Sequence, residues 1–198
     1  GGGAAAAQSV DERRQLAAQF VAAHASAADL AAAMDEREVR PADELPLLAA
    51  ELQLGAPMVE WCYPSRGSAA DLASAALAAA TLQAGHAASP HNAQLSVALC
   101  VALLCLGAPV RAVKLFRGAD IKQVQYESLS HIVLPAALEL GCPTREGELP
   151  LLLSGLRRWR QDGLRDVAEN TLLALRQGHP AQALELVAFE RAVRGSWW

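Results

Sequence analysis

The sequence predicts an all-α fold built from consecutive helical hairpins. Three observations carry this expectation. Apolar residues recur at the i, i+3, i+4, i+7 spacing of a helix in window after window. A glycine-x-proline punctuation returns four times along the chain. No window sustains the period-two alternation of β-branched and aromatic residues that a strand requires. The 198 residues are 53% hydrophobic and 19% charged, with a formal net charge of −4. That length and hydropathy suffice for a substantial core and lie far from the composition of disordered chains. The mild acidity argues against a nucleic-acid-binding domain, which normally carries a basic face.

Each element has its own signal along the chain. Residues 1–8 form a low-complexity Gly/Ala linker, and no initiator Met precedes them, so the chain reads as an excerpt of something longer. Ser9 with Glu12 makes a capping box, with Asp11 adding negative charge to the first turn. Leu16, Phe20, Ala23, Ala27, Leu30 and Met34 then fall on one stripe. Ser68 with Asp71 caps an alanine-rich helix expected to stop at Gly85. Ser89 followed by Pro90 reads as a cap plus first-position proline, opening a helix that runs to Gly107. From Leu72 to Val110 there is no Asp, Glu, Lys or Arg. That run is interrupted by Ser89-Pro90-His91-Asn92 and closed by Gly107-Ala108-Pro109, leaving too few turns for a membrane span and favouring a helix covered by its neighbours. Leu129, Ile132, Val133, Ala136 and Leu140 define a further stripe, with a kink expected at Pro135. Leu149, Leu152, Leu153, Leu156 and Trp159 define another, and the last helices begin near Leu164 and Pro180.

The punctuation organises these helices. It stands at Gly55-Ala56-Pro57, Gly107-Ala108-Pro109, Gly141-Cys142-Pro143 and Gly178-His179-Pro180. Glycine ends one helix in a left-handed cap, and proline opens the next at its first turn. The last three glycines are 34 and 37 residues apart, close to the 34-residue period of tetratricopeptide (TPR) hairpins. Ala112 with Phe116, and Ala183 with Val187, take the small-then-large places of a hairpin's second helix. Residues 9–198 are therefore expected to be a degenerate TPR-like α-solenoid, a segment of a longer array. The terminal Trp197 and Trp198 point to a helix that would follow them.

The search for chemistry is largely negative. There is no phosphate loop, dinucleotide turn, nucleophile elbow or zincin helix. The four cysteines and five histidines show no metal-ligand spacing, and a reduced cytosol is the default. Cys142 has two readings, a thiolate at a helix start or an ordinary loop residue. No catalytic, cofactor or metal residue is assigned. One cluster suits recognition: Arg157, Arg158, Trp159 and Arg160, where arginines beside an aromatic can hold an acidic partner or RNA. Its alternative reading is a helix whose Trp packs inward while the Arg heads stay solvated. His131 and Tyr126 suit ordinary packing.

The stretch Ser89-Pro90-His91-Asn92-Ala93-Gln94 leads into an apolar helix ending Leu104-Cys105-Leu106-Gly107-Ala108. After it come Ala112-Val113-Lys114-Leu115-Phe116 and the segment from Ala119 to Leu129. This resembles the middle portion of the auxiliary, non-catalytic subunit of the N-terminal acetyltransferase B (NatB) complex, with Glu127-Ser128 where that family has Asp-Thr. Leu140-Gly141, Ala188-Phe189-Glu190-Arg191 and, more loosely, Asp43 to Ala49 extend the likeness. The resemblance implies a cytoplasmic TPR-type scaffold that embraces a separate catalytic acetyltransferase at the ribosome, for nascent chains whose initiator Met precedes an acidic or amide residue. It implies no catalytic residue and no cofactor. Without it, the residues fit a generic TPR-like or pentatricopeptide-like module binding protein or RNA, or, less well, a membrane-associated helical protein.

Overall fold

A computed structural model describes residues 9–27, 34–35, 38–57, 72–119 and 123–195. The linker 1–8, the Ser68/Asp71 cap, Leu30, and Trp197 with Trp198 lie outside the described residues. Among those described there are eight α-helices and no strand: α1 Val10–Ser26, α2 Glu44–Leu54, α3 Leu72–Ala88, α4 Ala93–Cys105, α5 Pro109–Gly118, α6 Gln123–Glu139, α7 Glu148–Arg176 and α8 Pro180–Gly195. The chain divides into two compact units, with the boundary between Leu149 and Pro150.

In the first unit each helix packs on its successor, from α1 on α2 through α5 on α6, and α4 also touches α2 and α6. The capping box forms as expected: the Ser9 hydroxyl accepts from the Glu12 amide at 3.2 Å, and the Ser9 amide donates to the Glu12 carboxylate at 2.8 Å. α1 is shorter than its stripe, capped at Ala27 with Met34 outside the helix. Its covered face is Arg13, Leu16, Ala17 and Phe20, while Ala23 is exposed. Arg13 is there because it reaches the C-terminus of α2, donating to the Gly55 carbonyl at 3.5 Å. A cation is favourable beside those terminal carbonyls. Gly55 has φ 78°, a conformation that favours glycine, and a Cβ on it would sit 2.6 Å from Arg13 Nη1 and push that guanidinium aside,.

The other punctuating glycines also adopt left-handed caps, with φ 70° at Gly107, 75° at Gly141 and 77° at Gly178. Each is followed by the same closing bond: Ala108 to Leu103, Cys142 to Ala137 and His179 to Ala174, at 2.8–2.9 Å. These are Schellman turns, which satisfy carbonyls that the helix end leaves orphaned. Pro109 and Pro180 open the following helices. Pro143 does not, since α7 starts only at Glu148. The segment after Pro57, where the first punctuation would open its helix, lies outside the described residues.

Four expectations need correction. α3 does not stop at Gly85 but continues to Ala88. Gly85 is instead a close-approach site: a Cβ there would meet Pro46 Cβ and Cγ at 2.9 Å, so its missing side chain lets α2 and α3 pack tightly. α4 is capped not by Ser89 but by Asn92, whose Oδ1 accepts from the Gln94 and Leu95 amides at 3.0 and 3.3 Å. Pro90 lies in the turn before it. The buried face of α6 is Ser130, Val133, Leu134 and Ala137, while Leu140 is exposed. It is thus rotated by one residue from the apolar stripe, because a fully covered serine occupies a place that pattern reading reserves for an apolar residue. The helix runs through Pro135. Finally, no new helix begins near Leu164: α7 continues through Gly163 to Arg176 as one helix of 29 residues. A single glycine costs a helix only about 1 kcal/mol.

α4 is the centre of the first unit. Leu95, Ser96 and every residue from Ala98 to Leu104 are buried, which is the covered helix that its uncharged sequence implies. Around its start lies a buried polar knot. Asp43 is 1% exposed and accepts from the Ser89 hydroxyl at 2.7 Å, the Asn92 amide at 2.9 Å and the Arg40 backbone N–H at 3.1 Å. One carboxylate therefore ties the start of α2 to the turn before α4. In the second unit, α7 and α8 are joined by the Gly178 turn, with Val167, Ala174, Ala183 and Val193 buried.

Candidate partner-binding surface

The Arg157–Arg160 cluster sits on α7 in the second unit. Leu152 and Leu156 are buried and Leu153 and Trp159 half-buried, which sets the inner face of the helix as its spacing implies. Arg157 and Arg158 fall on the other side and are exposed. Arg160 departs from them: its Nη2 donates to the Arg194 carbonyl at 3.3 Å, in the last turn of α8, where the helix dipole favours a cation. Arg194 in turn pairs with Glu190 at 2.8 Å. The structure thus divides the cluster. Arg160 serves the α7–α8 hairpin, Trp159 is turned partly inward, and Arg157 with Arg158 present two guanidinium groups to solvent. A base-stacking platform needs an outward aromatic face, whereas two free forks suit carboxylates.

A second surface escaped the sequence reading. In the first unit α3, α4, α5 and the turn between α3 and α4 enclose an open groove of about 770 Å³. Arg111, Lys114 and Leu115 line it from α5, His86 from α3, His91 from the turn and Leu103 from α4. Arg111, Lys114, Leu115 and Gly118 follow the i, i+3, i+4, i+7 rule, so one face of α5 forms the wall while Ala112, Val113 and Phe116 are buried on the other. His86 Nδ1 lies 3.4 Å from the Ser96 hydroxyl. Burial holds its pKa below the ordinary histidine value, so at neutral pH it is a neutral hydrogen-bonding group. The available signal was the i, i+3 pair Arg111/Lys114, the first charges after a long uncharged run. Its partners on the other walls are remote in sequence and look unrelated along it.

A family model for the non-catalytic subunit of the N-acetyltransferase B (NatB) complex matches residues 3–198. The chain belongs to that family. No curated protein and no solved structure gives a significant match.

Two of the described thiols are held unreactive by burial. Cys100 is fully buried on α4, donates to the Ala112 carbonyl at 3.3 Å, and has its pKa pushed up to about 12 by burial. Cys142 is buried in a turn, and desolvation raises its pKa also. It is a loop thiol, not a helix-start thiolate. A thiol-reactive probe is accordingly expected to label Cys100 in the native protein at only the rate of unfolding, since the thiolate is the nucleophile. Labelling followed by mass spectrometry, with and without denaturant, checks this. Among the described residues no group of three or more His, Cys, Asp or Glu is placed to hold a metal, and no helix is long and apolar enough to cross a membrane.

Proposed function

We propose that the chain is a cytoplasmic scaffold of NatB that binds the separate catalytic acetyltransferase and positions it at the ribosome for co-translational N-terminal acetylation. The observation that carries this reading is the family match over residues 3–198. The helix-on-next-helix packing of the first unit and the Schellman turns at Gly107, Gly141 and Gly178 support a degenerate TPR-like solenoid, extended by further repeats in a longer protein. Arg157 and Arg158 are proposed to contact a partner, with Trp159 and Arg160 holding the helix that presents them.

Co-purification of the full-length protein with a catalytic acetyltransferase subunit is the test. Capture is expected from cell extract, with Arg157→Glu plus Arg158→Glu lowering it by roughly tenfold, as loss of two charge-assisted contacts implies. Failure to capture any acetyltransferase overturns the scaffold reading. Full capture by the double variant removes the arginines from the interface. A second reading, an RNA-binding repeat module, draws on the same exposed arginines and predicts salt-sensitive RNA affinity that the double variant abolishes.

A further inference from the structure

We propose that the groove between α3, α4 and α5 is a docking slot for an acidic, partly apolar peptide segment of a protein partner. The slot lies in the first unit and is independent of the Arg157–Arg160 cluster and of which protein supplies the segment.

The case rests on what each wall contributes. Arg111 and Lys114 are exposed, one helical turn apart on α5, and line the same concavity. Neither has an ion-pair partner among the described residues. The walls from α3, α4 and their connecting turn belong to the stretch from Leu72 to Val110, which holds no charged side chain. They supply hydrogen-bonding groups, including His86 beside the Ser96 hydroxyl. Among the described residues no carboxylate lines the groove, so none of those residues offsets its cations where low-dielectric walls strengthen their field. Leu103, Leu115 and Pro90 add apolar surface to the lining. A complementary ligand carries carboxylates for the two cations and aliphatic groups for these apolar side chains. The volume of about 770 Å³ suits a short segment rather than a whole domain face. Nucleic acid is the poorer match, because among the described residues two permanently charged side chains are offered and no Phe, Tyr or Trp lines the slot for base stacking,.

Fluorescence anisotropy of the full chain tests the inference, using a short labelled peptide that alternates glutamate and leucine, its glutamine-for-glutamate counterpart, and a single-stranded RNA of equal charge. The glutamate peptide is expected to bind, and the glutamine peptide at least about tenfold more weakly. The charge-reversed variant Arg111→Glu plus Lys114→Glu is expected to lose the glutamate peptide and gain affinity for a lysine–leucine peptide, with its circular dichroism and melting curve unchanged. The gain keeps the test decisive, because a merely damaged fold would not acquire the opposite preference. Equal binding of the glutamate and glutamine peptides, retention of binding by the variant, or absence of binding by the wild type overturns the proposal. Tighter, Arg111- and Lys114-dependent binding of the RNA overturns it in favour of a nucleic-acid slot.

Discussion

Replacing Phe116 by alanine is expected to cost the first unit about 4 kcal/mol, the range for deleting a fully covered aromatic side chain. Phe116 is 0% exposed and is the bulkiest of the completely buried side chains. It projects from a helix only ten residues long that has α4 on one side and α6 on the other. Beside it on the same face, Ala112 and Val113 are also at 0%, and neither is large enough to collapse into the space. Phe116→Leu, which keeps most of the volume, is expected to cost less than about 1.5 kcal/mol. Urea titrations followed by circular dichroism measure both. A loss under about 1 kcal/mol for the alanine variant would mean that α5 is not anchored through this ring. The same anchor holds the cationic wall of the groove, so peptide affinity should fall with α5 even though Phe116 faces away from the slot.

The second large effect is electrostatic and is isolated by an apparently mild exchange. Asn92→Asp at an ordinary helix start is close to neutral, since both residues cap well. Here it is expected to destabilise by about 3 kcal/mol, because the Asn92 amide donates to Asp43 across 2.9 Å in a buried site, and a carboxylate there has no proton to give. Removing the other partner, by Asp43→Ala, strands the Ser89 hydroxyl and the Asn92 amide without an acceptor and should cost a similar amount. Thermal melts of the two single variants and the double variant complete the cycle. If Asp43→Ala rescues Asn92→Asp in part, the coupling is direct. If the two losses simply add, Asn92 acts as a cap alone.

Local chemistry was legible in the sequence wherever one helix turn decides the outcome. The Ser9/Glu12 box, the left-handed glycines and the inward stripe of α7 are all settled by neighbours within a few residues. Legibility failed where a remote group settles a local choice. Ser89-Pro90 carries the better-known start signal, yet Asn92 takes the cap, in a turn that Asp43, 49 positions away, grips through both Ser89 and Asn92. Gly85 resembles a helix stop but is spared by the Pro46 ring pressed against it. The inner face of α6 is hidden by Ser130, a polar residue that tertiary burial admits and pattern reading rejects. Of the binding surfaces, the Arg157–Arg160 run is contiguous and visible, although only two of its arginines prove to face solvent. The groove is assembled from three helices and was not visible.

The order of packing in the first unit bears on how such a chain comes to be made. From α1 to α6 each helix packs mainly on helices adjacent to it in the chain, so most contacts made during assembly join segments close in sequence and their entropic toll is small. A polypeptide with this wiring can gain its structure progressively, hairpin by hairpin, while it is still leaving the exit tunnel.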